Sequence, residues 1–142
     1  MNDIIVQLFE PFFDWNAYQD LLKIVYNNFD YGKIGFILLV LPLIVMAIFY
    51  KVWEPMKSQL LMWSLSILAI MIILYSSTSG FLYSNFEFQQ YIGNYTGDDG
   101  QIDPDYFIFQ MSMISVLYSA ILAFIYSLIL KQFSTNNSHN PF

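Results

Sequence analysis

Three long apolar runs, separated by short polar connections, set the pattern of this chain: Ile34–Trp53, Ser58–Leu82 and Tyr106–Leu130. Each is long enough, at about 1.5 Å per residue, to cross a hydrocarbon core of roughly 30 Å. Ahead of them, residues 1–31 alternate at helical spacing. Ile4, Ile5, Leu8, Phe9 and Phe12 share a face, with Asp3, Gln7 and Glu10 between them. Pro11 interrupts this run, and Asp14 or Asn16 then caps a second helix. Its stripe of Tyr18, Leu21, Leu22, Val25 and Phe29 faces away from Gln19, Asp20, Lys23, Asn27 and Asn28. The predicted fold is an all-α integral membrane protein: three transmembrane helices preceded by an amphipathic N-terminal helical segment.

The boundaries follow from the same pattern. Residues 1–31 form outer interfacial or docking helices, and 34–53 the first span, which Pro42 bends and Tyr50 and Trp53 anchor at the far interface. Residues 58–82 form the second span, with a polar end at Ser76–Gly80. Residues 83–104 form an aromatic and acidic external loop, read as a short hairpin or compact cap around Gly97–Gly100. Asp103 caps and Pro104 opens the third span, residues 105–131. Residues 132–142 are a polar cytoplasmic tail ending at Phe142.

Composition sharpens this picture. The 142 residues are 57% hydrophobic and only 11% charged. A chain this short cannot bury so much apolar surface in its own core, so a bilayer must cover the rest. Cysteine and arginine are absent and the net charge is −6, which argues against a disulfide framework, a bidentate phosphate clamp and nucleic-acid binding. No basic n-region, apolar h-region and cleavage site are visible in the first thirty residues, so the spans themselves are expected to direct insertion. Lys51, Lys57 and Lys131 flank the short connection and the C-terminus, whereas the loop before Pro104 is acidic and lacks lysine. The positive-inside rule therefore places the N-terminus outside and the C-terminus in the cytoplasm.

Candidate chemistry is sparse. Apart from Lys51, Asp105 and Lys131 at their ends, the three spans hold no Asp, Glu, Lys, Arg or His, and the only histidine, His139, lies in the tail. Proton relays, coupled transport and intramembrane hydrolysis need such groups at depth, so no enzyme, cofactor or metal is expected. Asp99–Asp103 has the middle of a calcium loop, but Tyr95, Gly97 and Tyr106 stand where ligand oxygens belong. Asn94-Tyr95-Thr96 matches a glycosylation sequon, which matters only in a secretory context.

What remains is packing. Ser115, Ser119, Ala123 and Ser127 recur every fourth residue of the third span, a row that permits close helix approach. Tyr18, Leu22, Val25, Phe29 and Phe142 are candidate docking residues. The expected role is a non-catalytic subunit that scaffolds or stabilises a larger bacterial inner-membrane complex, with other membrane subunits and lipid as partners. In length and topology alone, the chain resembles one class of phage holins, though the strongly basic tail common in that class is missing. That resemblance implies a self-assembling pore, with Ser76, Ser77, Thr78 and Ser79 facing the lumen. A lipid- or quinone-associated accessory subunit is a third reading.

Overall fold

The computed structural model describes residues 2–53, 59–97 and 102–132. Within them lie α1 (Asn2–Phe9), a 3-10 turn (Glu10–Phe12), α2 (Trp15–Asn27), α3 (Asp30–Ile48), a π-helical turn (Phe49–Trp53), α4 (Gln59–Ser84), α5 (Phe86–Asn94) and α6 (Pro104–Lys131). The described residues contain no strand. The protein is an all-α, multi-pass membrane protein: α3, α4 and α6 are long and apolar enough to span, and the N-terminal helices precede them.

Local chemistry explains most of the boundaries. Asp14, not Asn16, caps α2, accepting from Asn16 N at 3.0 Å. Asp103 caps α6 in the same way through Asp105 N, and Pro104 follows as the first helical residue. Pro42 lies inside α3 on its buried side, and the helix runs through it to Ile48.

Two boundaries differ from the sequence reading. The first span begins at Asp30, not Ile34, so Asp30 and Tyr31 belong to the spanning helix rather than the amphipathic segment. The second span, expected to end at Leu82, runs on to Ser84. The hydroxyl-rich stretch stays helical throughout, and Ser79 and Ser84 turn their hydroxyls back onto the carbonyls of Tyr75 and Gly80 at 2.9 and 2.7 Å. The segment expected to be a loop holds a short helix, while most of the Gly97–Gly100 turn read as a hairpin or compact cap lies outside the described residues. Asn85 caps that helix, α5, by accepting from Glu87 N and Phe88 N.

α6 is the central strut, packing against both α3 and α4. At the end where α3 starts and α4 stops, α1, α2 and α5 fold over the bundle. Phe107, fully buried near the start of α6, is the hub there. Phe88 of α5 stacks on it at 5.7 Å, and Phe13 and Tyr18 meet it at 5.0 and 5.8 Å. The outward faces of the spans remain apolar, as Phe36, Leu39, Leu65, Leu68, Leu117 and Ile121 illustrate. A helix apolar on all sides suits lipid on one face and protein on the other.

One tertiary contact supplies what local sequence lacks. α3 starts after Phe29, which sits at the N-cap position with φ +56° and offers no side-chain oxygen. Asn2 of α1 fills the role: its Oδ1 accepts from Gly32 N at 3.0 Å, while its Nδ2 donates to Tyr26 O at 3.2 Å. Asn2→Ala is therefore expected to cost about 0.5–2 kcal/mol, as the loss of a cap does. Denaturant titration of the detergent-solubilised chain checks this, and wild-type stability would contradict the remote cap.

Candidate functional site

Two polar groups of side chains stand out in an otherwise apolar bundle. The first is a seam of hydroxyls along α6. Ser115, Ser119 and Ala123 are fully buried and Ser127 nearly so, at 1% exposure. Residues four apart on an α-helix drift by about 40° per step, so the row winds around α6 and meets both neighbours. Ser115 Oγ accepts from Thr78 of α4 at 3.0 Å and donates to Met111 O at 3.1 Å. At the far end Ser127 Oγ shares a hydrogen with Tyr50 Oη, in the π-helical turn that ends the first span, at 2.6 Å and accepts from Trp63 Nε1 of α4 at 2.9 Å. One serine thus ties all three spans together, next to the π-helical turn where adjacent Phe49 and Tyr50 are both buried.

The row is occupied by the chain's own helices. Ser119→Leu and Ala123→Leu are each expected to lower the stability of the isolated chain by about 1–3 kcal/mol, the usual cost of overpacking. Thermal melts in detergent without any partner read this. An unchanged melt would show that the row does not hold the bundle.

The second group surrounds Asp30, which the sequence reading left outside the spans. Its side chain is 1% exposed. Lys33 Nζ donates to Oδ1 and Asn85 Nδ2 to Oδ2, both at 2.6 Å. The carboxylate is thereby paired on both oxygens, and it joins the first turn of α3 to the α4–α5 junction. Asn85 works in both directions, donating to Asp30 while its Oδ1 caps α5. Nearby, Asn28 Nδ2 donates to Glu87 Oε2 at 3.0 Å, linking α2 to α5. The capping helices carry further polar ties. Tyr26 Oη donates to Asp3 Oδ1 at 2.9 Å, and this bond raises the Tyr26 phenol above its ordinary value. Partial burial raises the Glu10 carboxyl. Tyr31 Oη, Gln110 Oε1 and Ser112 Oγ are buried without a hydrogen-bond partner among the described residues. No group of three or more His, Cys, Asp or Glu able to hold a metal occurs among the described residues.

The other sequence candidates are placed as follows. Leu22 and Val25 are buried and Tyr18 is half-buried, so three of the docking candidates pack onto the protein itself. The stripe of α2 is apolar because it roofs the bundle. Phe29 alone of the described docking candidates faces outward, at 68% exposure. Phe142 lies outside the described residues, as do Asp98, Asp99 and the connection from Glu54 to Ser58. The four pore candidates do not share a face: Ser76 is exposed, Ser77 and Ser79 are half-buried, and Thr78 is buried against Ser115. No protein-family model, curated protein or solved structure matches this chain.

Proposed function

We propose that this protein is a non-catalytic membrane subunit that scaffolds or stabilises a larger bacterial inner-membrane complex through helix packing. The observation that carries the reading is the state of Asp30. The buried carboxylate has both oxygens engaged by the chain's own Lys33 and Asn85, an arrangement that braces helices and leaves no free base. The hydroxyls of the α6 seam are engaged likewise. A body braced in this way offers other subunits its shape and its apolar outer faces, and partners dock on those faces rather than on the buried serine row.

In the proposed orientation the N-terminus and the α1–α2–α5 cap lie outside, with Lys51 and Lys131 in the cytoplasm. The chain has no cysteine, so single-cysteine labelling in intact cells reads this without background. The pore reading draws less support, because Thr78 and Ser79 use their hydroxyls within the bundle.

Native mass spectrometry after gentle extraction from the source membrane tests the scaffold. Foreign subunits in fixed ratio are expected. A ring of this chain alone, or rapid depolarisation on expressing it by itself, would overturn the proposal.

A further inference from the structure

A groove runs down the outer face of the bundle between α3 and α4. Its upper part, about 480 Å³, is lined by Phe29, Gly32, Lys33, Phe36, Ile37 and Phe81. A second part of about 260 Å³ continues it past Phe36 and Ile37 to Val40, Ile44, Ile73 and Ser77. Phe29 at the N-cap and Lys33, Phe36, Ile37, Val40 and Ile44 of α3 follow one stripe at helical spacing, and Ile73, Ser77 and Phe81 of α4 do the same opposite them. From Lys33 to Ile44 the groove descends roughly 16 Å at 1.5 Å per residue, close to half of a 30 Å hydrocarbon core. It is therefore one leaflet deep.

Apart from Ser77, the groove is apolar below its mouth. There Lys33 is 53% exposed. An ammonium has three donors, and one is directed to Asp30. The buried carboxylate holds the lysine stem in place, so the charged end is presented at a fixed position at the level of the interface. Phe29 stands beside it, one helical turn back. It keeps a left-handed backbone, φ +56°, that is costly for an aromatic residue, and its ring is 68% exposed.

We propose that this groove binds a glycerophospholipid of the leaflet on the α1–α2–α5 side. An acyl chain lies between α3 and α4, and Lys33 donates to the headgroup phosphate. The net charge of −6 does not favour an anionic head, so the ligand is a zwitterionic phospholipid held by its phosphodiester. The site differs from the buried seam, and it does not depend on the scaffold role.

The test is native mass spectrometry of the purified full chain in detergent. Dioleoylphosphatidylethanolamine is compared with dioleoylglycerol, which has the same chains and no phosphate. One phospholipid per chain is expected to be retained about tenfold better than the diglyceride, the effect of one charge-assisted hydrogen bond. Lys33→Met should erase that preference, and Lys33→Arg should keep it. Ile37→Trp, which obstructs the groove without touching the lysine, should weaken both lipids. Equal retention of the two lipids by the wild type overturns the proposal. So does a preference that survives Lys33→Met, or lipid binding that ignores Ile37→Trp. If Lys33→Met does not fold, the wild-type comparison and Ile37→Trp decide the matter by themselves.

Discussion

Asn85→Asp is expected to be the most damaging conservative substitution in this protein, worse than Asn85→Ala. The aspartate retains an oxygen for the cap of α5, and Asp caps as well as Asn does. It removes the donor to Asp30, however, and sets a second carboxylate against Oδ2, where Asn85 Nδ2 now sits at 2.6 Å. An uncompensated buried charge, such as the new carboxylate would be, typically costs about 3–5 kcal/mol, a large share of the roughly 5–15 kcal/mol that holds a domain together. Asn85→Ala loses the cap and one hydrogen bond but adds no repulsion, so it should fall near 2–3 kcal/mol. Folded fraction in detergent reads both losses. The exchange Asp30→Asn with Asn85→Asp should recover part of the loss by restoring one donor and one acceptor. If Asn85→Asp proved as stable as Asn85→Ala, Asn85 would not donate to Asp30 as described.

Gly35→Ala is expected to lift α1 from the bundle. A Cβ at this position would lie 2.6 Å from Ile5 Cδ1, against Cγ1, and 3.4 Å from Ile5 Cβ. The clash thus involves the root of a side chain that is only 3% exposed, not merely its tip. Overpacking of this kind costs about 1–3 kcal/mol, more than the helix-propensity gain of roughly 1 kcal/mol on replacing Gly. Ile5→Ala makes room, so the double variant should be more stable than the sum of the two single losses, by about 1 kcal/mol or more. Gly32→Ala serves as the control one turn away. Its new Cβ would meet only Asn2 Oδ1 at 3.7 Å, an ordinary contact. Protease sensitivity of the N-terminal segment, alongside melting temperature, distinguishes a displaced α1 from a weakened bundle. Independent, additive effects of Gly35→Ala and Ile5→Ala would contradict the close approach.

The spans were legible because nothing but a bilayer can cover runs as apolar as Ile34–Trp53 and Tyr106–Leu130. Caps such as Asp103 were legible because a cap acts on a backbone N–H two residues away. The row at Ser115, Ser119, Ala123 and Ser127 was visible as a spacing, but the spacing does not say whose helix lies against it. Likewise the stripe of α2 reads the same whether it roofs its own bundle or docks on a partner. Its burial at Leu22 and Val25 is a tertiary fact.

Asp30 shows the limit most clearly. In the sequence it is one of several acids near the end of an amphipathic segment, and hydropathy alone starts the span after it. Its place inside α3 depends on Lys33 one turn on, Asn85 from 55 residues away and the cap lent by Asn2. Hydrophobic period and local capping determine which segments are helices and that three of them belong in lipid, because both act within a few residues. Which buried polar groups find partners, and which grooves stay open to lipid, is decided only when distant helices meet, because a hydrogen bond in an apolar medium depends on where both of its ends are brought.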